Sequence, residues 1–253
     1  MPTPFYHLSI AREILEHPGL SASVRALLLE EQAAFLFGNT APDVQTISKQ
    51  ARAETHFFDL PLKESDPPPW RKIFEKHGLI SDAAWLSRPQ KAFLAGYLCH
   101  LQADWMWVCQ VFVPTFGKRG GWATLPQRMY LHNVLRSYLD LEILPSLTNG
   151  VSTSLRAAAP VRWLPFVQDE HLVLWRDFLA GQLRPGAAVR TVEVFAARQG
   201  ISPDEYYRLM SSEDRMDMEI FTHLPRTVLS SYRQSLVEEN IQLIQSYLCR
   251  SDY

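Results

Sequence analysis

Cysteine is scarce in this chain. Three residues, Cys99, Cys109 and Cys249, are odd in number and set in apolar stretches. That excludes a disulfide framework, gives packing as their expected role, and points to a reducing compartment. Net charge is equally scant: 25 basic against 27 acidic residues leave −2. No broad basic footprint for nucleic acid or for an anionic membrane follows, so any anionic substrate must be held locally. The opening residues MPTPFYHLSIAREILEH lack a basic n-region, an apolar h-region and a small-residue cleavage site. A cytoplasmic protein is the expectation. One run, Ala92 to Val113, is apolar enough to suggest a membrane span, yet it carries His100, Gln102, Asp104 and Gln110. A central Asp opposes insertion by about 2.5–3.5 kcal/mol. A buried helix of a water-soluble protein, with no transmembrane segment, is the better reading.

Alternating runs bounded by turn signals are missing too, which argues against strands. Almost every stretch between turns repeats at helical period, so the expected class is all-α, one compact multihelical domain over residues 1–253. The expected helices are Phe5 to Glu16, Ala22 to Phe35, the long buried run, Gln127 to Ser146, Asp169 to Leu183, Val189 to Arg198, Pro203 to Phe221 and Arg226 to Leu248. Phe37 to Val44 reads as loop chemistry, and Pro67 to Pro69 forbids a helix through it. Pro114 to Gln127 reads as a Gly-rich connection and Asn149 to Pro165 as another loop.

Against that background the polar residues of the apolar run stand out. His100 and Asp104 are four apart, so on a helix they share one face and could meet one metal ion. The spacing alone is common. An Asp inside such an apolar helix, however, costs several kcal/mol unless it is paired or metal-bound. His56 and Asp43, in polar segments upstream, are available as partners. Neutral imidazoles with carboxylates suit zinc best among the common metals. The alternative is that His100 and Asp104 only bond to each other and to loop backbone.

The ordered series of His7, Pro42-Asp43 in TAPDVQ, His56 in HFF, and GYLCHLQAD from Gly96 to Asp104 resembles the zinc-dependent phospholipases C of bacteria and the related fungal-type single-strand nucleases. The resemblance implies a multihelical phospholipase C/nuclease-like fold and zinc-dependent phosphodiester hydrolysis. It also implies metal ligands at His7, Asp43, His56, His100, Asp104 and His132, with Asp43 as the catalytic carboxylate and the second Asp bridging to another ion. The substrate would be a phospholipid or another phosphate ester. The chain departs from the family pattern at Gln110, where a His is expected, and at Arg136, where an acid follows His132 by one turn. These departures imply a reduced site of one or two zinc ions with a third site lost. Arg136 then either pairs with Asp140 as a surface salt bridge or binds substrate phosphate in place of the lost ion. A non-catalytic zinc-binding helical protein and a nuclease-like phosphodiesterase are the alternatives.

Trp105 and Trp107 could wall a substrate pocket or face an alkylammonium group, although core packing is their commoner role. His223 is expected to cap or pack, and His17, His77 and His171 to be exposed.

Overall fold

The computed structural model describes residues 1–62, 66–118, 120–122, 124–147 and 150–249. Among these there is no strand, and the chain is all-α, as its periodicity predicts. Its α-helices are α1 (Pro4–Glu16), α2 (Ala22–Glu30), α3 (Gln32–Gly38), α4 (Gln45–Ser48), α5 (Arg52–His56), α6 (Pro69–Lys76) and α7 (Arg88–Trp107). They continue with α8 (Leu125–Leu147), α9 (Val151–Ala157), α10 (Asp169–Gln182), α11 (Thr191–Gln199), α12 (Pro203–Met210), α13 (Glu213–Met216) and α14 (Arg226–Leu248). None is long and apolar enough to cross a membrane.

The centre is α7. Thirteen consecutive residues from Ala92 to Asp104 are buried, and α3, α14 and α1 pack around them. A helix apolar on every face must be enclosed on every face, which explains why this run reads like a membrane span without being one. Past Trp107 it does not stop. A π-helical segment, Val108–Phe116, carries it through Pro114, where a connection is expected from sequence. Wider i→i+5 turns accommodate the residue that would break an α-helix.

Other departures have similar local causes. The second expected helix breaks at Glu31 into α2 and α3, with no Gly or Pro to mark the break. The expected loop after Asn149 holds α9, which is capped by Gly150 at φ 79° and packs Val151 and Leu155 into the core. The segment from Pro203 to Phe221 is two short helices and a π turn, not one helix. Proline at 69 opens α6, where a missing N–H costs nothing. Of the cysteines only Cys99 packs in the core; Cys109 and Cys249 are exposed.

Two glycines set the α3–α7 spacing. A Cβ on Gly38 would lie 2.0 Å from the Phe93 carbonyl oxygen, and one on Gly96 would lie 2.3 Å from that of Phe35. The backbones therefore touch, and the Asn39 carbonyl at the end of α3 reaches His100 Nδ1 at 2.8 Å. Gly96→Ala is expected to lower stability by about 1–3 kcal/mol through overpacking. It should also loosen His100, one turn further along the same face. Urea denaturation checks the first effect, and a variant as stable as wild type would mean the helices can separate freely.

Asp140 ties three helices together. Its carboxylate, buried on α8, accepts from the Thr3 hydroxyl at the start of α1 and from Thr191 Oγ1 of α11 at 2.6 Å. Burial pushes its pKa up, further than the two hydroxyls and Arg136 pull it down, to about 7. A carboxyl with a raised folded pKa holds its proton longer in the native state. Native stability therefore falls as pH rises from about 4 to about 7, and the cost is fully present above 7. Each unit of the rise is worth about 1.4 kcal/mol. Asp140→Asn keeps an acceptor and a donor for the two threonines, so the variant should gain on wild type between pH 5 and pH 8 in thermal melts. A pH-independent difference would contradict this.

Candidate metal centre

Five side chains far apart in sequence meet beside α7. His7 comes from the second turn of α1, whose first turn is fixed by Thr3 accepting from the Tyr6 amide at 3.2 Å. Asp43 lies in the 3-10 turn Ala41–Val44, and His56 ends α5. His100 and Asp104 share one face of α7. His7, His56, His100 and Asp104 are buried, and Asp43 is half-buried.

The distances are short and mutual. His100 Nε2 is 3.3 Å from His56 Nε2 and 3.7 Å from Asp104 Oδ2. His56 Nε2 is 3.4 Å from Asp43 Oδ1 and 3.5 Å from Asp104 Oδ2, and His7 Nε2 is 3.4 Å from Asp104 Oδ1. Two groups able to hold a metal ion result, His7–His100–Asp104 and Asp43–His56–His100, and His100 belongs to both.

The residues fit zinc on three counts. Bonds of about 2.0–2.1 Å to a tetrahedral ion place neighbouring ligand atoms about 3.3 Å apart, close to the spacings seen. His7 Nε2 and Asp104 Oδ1 are buried, face each other at 3.4 Å and form no well-aligned hydrogen bond, a costly arrangement for a protein on its own. The outer nitrogens are anchored, His100 Nδ1 at the Asn39 carbonyl and His56 Nδ1 at Thr55 Oγ1 (2.9 Å), which turns both Nε2 atoms towards the cluster.

The electrostatics agree. Burial, with His100 nearby, lowers the His7 pKa to about 4; burial, with Arg52 nearby, does the same for His56. Both imidazoles are therefore neutral lone-pair donors at pH 7. Burial would also lower the pKa of His100, but Asp104 and Asp43 overcome it and raise it. Asp104 resists burial in the same way and stays ionised, held by His100, His7 and Arg52.

Beside it opens a cleft of about 510 Å³ whose lining includes Asp43 and Asp104, the chain start from Met1 to Phe5, Trp175 and Phe178 of α10, and four arginines, Arg52, Arg136, Arg190 and Arg198. Sequence reasoning missed three of these. Arg52 donates to Asp104 Oδ2, and its place four residues before His56 was a usable signal. Arg190 and Arg198 had none, because α11 reaches the cleft only through the tertiary fold.

Other expected residues fall elsewhere. His132 is in neither cluster: its Nε2 accepts from Trp107 Nε1 at 3.0 Å, and its ring packs against Phe112 and Phe116. Gln110 is exposed. Arg136 makes no surface salt bridge with Asp140. It is half-buried, donates to the Met1 carbonyl (3.0 Å) and to Asn133 Oδ1, and lies 4.2 Å over the Phe195 ring. Trp107 is core, and Trp105 packs edge-on to Phe58; neither lines the cleft. His223 is exposed beside Trp122, whereas His17, His77 and His171 are half-buried and not exposed.

Residues 6–107 match the family model described as zinc dependent phospholipase C. That stretch contains all five clustered residues, so the resemblance read from the sequence is supported where the site is built. The match leaves His132, Arg136 and the helices from α8 onward outside it. No curated protein and no solved structure matches the chain.

Proposed function

We propose that the chain is a zinc-dependent hydrolase of phosphodiesters, phospholipids among them, working with a reduced metal site. The observation that carries this is the convergence of His7, Asp43, His56, His100 and Asp104 at a cleft lined with arginines. A purely structural zinc site is closed, with all its ligands turned inward. Here Asp43 and Asp104 reach the wall of a cleft that a substrate can enter.

His7, His100 and Asp104 would hold one ion, and Asp43, His56 and His100 are placed to share it or to hold a second. Bound zinc supplies Lewis acidity towards a phosphoryl oxygen and lowers the pKa of water at the site. Asp43, half-buried at the cleft, orients the attacking water and takes its proton. Arg52, bonded to Asp104, sets that carboxylate's orientation. Arg136 offers its guanidinium to the substrate phosphate, where the resemblance leads one to expect an acidic ligand. It cannot ligate zinc, and the exposure of Gln110 further supports the loss of a third ion site.

The test is hydrolysis of bis(4-nitrophenyl) phosphate and of phosphatidylcholine by zinc-loaded protein. Turnover that a chelator abolishes and zinc restores is expected. Absence of turnover with every divalent ion, in protein that binds zinc and melts cooperatively, would leave the non-catalytic alternative.

A further inference from the structure

We propose that the cleft selects phosphodiesters bearing a second anionic group beyond the scissile phosphate. This rests on the phosphodiesterase reading above and specifies its substrate class. Among the described residues the only acids lining the cleft, Asp43 and Asp104, face His56, His7 and His100, and Asp104 also answers Arg52. The remaining guanidiniums form no ion pair among the described residues, although the buried Asp140 faces Arg136 electrostatically. Arg136 donates only to neutral oxygens, of Met1 and Asn133. Arg190 and Arg198 are exposed and form no ion pair among the described residues.

Their placement is not scattered. Thr191, Val194, Phe195 and Arg198 follow at i, i+3, i+4 and i+7, so one stripe of α11 faces the cleft with Arg198 on it. Arg190 stands at the N-cap of the same helix, about 12 Å away at 1.5 Å per residue. A lone phosphodiester carries one negative charge and would occupy one guanidinium fork. The others are left for a further phosphate or carboxylate.

A cationic head group fits poorly. Among the described residues no carboxylate outside the metal clusters lines the cleft to pair with an ammonium, and the Phe195 face already carries Arg136, which leaves only the Phe5, Trp175 and Phe178 rings free of a guanidinium. A choline would sit among guanidiniums and be repelled.

The experiment has a binding arm and a turnover arm. Metal-free protein is titrated calorimetrically with inositol 1,4-bisphosphate, inositol 1-phosphate and phosphocholine. The bisphosphate should bind at least about tenfold more tightly than the monophosphate, with phosphocholine weakest. Arg190→Ala/Arg198→Ala should cut that margin to less than about threefold with an unchanged circular dichroism spectrum. Equal affinities, or an undiminished margin in the folded double variant, would overturn the proposal. In the second arm, zinc-loaded protein meets phosphatidylinositol 4-phosphate in phosphatidylcholine vesicles, and separately the water-soluble glycerophosphoinositol 4-phosphate. Hydrolysis of either ahead of phosphatidylcholine supports the proposal and tells a lipid source from a soluble one; phosphatidylcholine cleaved as fast would refute it. Failure to cleave any diester, bis(4-nitrophenyl) phosphate included, counts against the hydrolase reading, while the titration still decides the anion site.

Discussion

His100→Ala is expected to cost the protein nearly all its zinc and nearly all its turnover, because His100 is the one side chain common to both clusters. Changing residues that merely support a ligand typically weakens metal binding by about 10–100-fold. Removing a ligand that serves both groups should exceed that, to about 100-fold or more. The fold has reason to survive. Asp104 keeps Arg52 and the His7 and His56 imidazoles when His100 is removed. Competition with a chromogenic chelator measures the affinity, and a thermal melt without metal separates lost binding from lost structure. Asp104→Ala should behave alike, since Asp104 approaches all three imidazoles. Full zinc occupancy in both variants would remove the assignment.

Asp43→Asn should show the second-largest effect and a different signature. Asparagine keeps the side chain's volume and an oxygen able to ligate, but it can neither accept a proton nor carry charge. Turnover should fall by about 100-fold or more, the usual scale for a lost general base. Zinc retention and melting temperature should change far less than in His100→Ala, because Asp43 is half-buried and serves one cluster. A single-turnover assay on zinc-saturated variant reads the chemical step directly. Wild-type rates with metal dependence intact would show that Asp43 is not the base.

Much of this arrangement was legible in the sequence, for specific reasons. The apolar run around His100 and Asp104 announced a fully enclosed helix, and four-residue spacing put both side chains on one face. The cost of burying Asp104 required partners, and His7, Arg52, His56 and His100 are those partners in the structure, whereas Asp43 meets His56 instead. What sequence could not show was convergence from distant elements. Arg190 and Arg198 belong to the cleft only because α11 docks against α8, and nothing in their neighbourhood says so. Arg136 and Asp140, for which a surface pair was one of two readings, are instead pinned separately by Asn133 and by two threonines from other helices. His132 keeps the helical position expected of it, but the Trp107 indole occupies its nitrogen. Helix breaks were hidden for a related reason: the Glu31 kink and the π segment through Pro114 are set by packing around α7, which local propensity does not record.

The central claim is that histidine nitrogens and aspartate oxygens around His100 hold zinc. X-ray absorption on freshly purified protein, with metal content counted in the same sample, tests it most directly. One or two zinc ions per chain are expected, with a mixed nitrogen and oxygen shell at about 2.0–2.2 Å, imidazole scattering beyond it, and no sulfur at about 2.3 Å. Zinc-free protein that refuses the ion on titration, or a shell dominated by sulfur from Cys99, Cys109 or Cys249, would contradict the account.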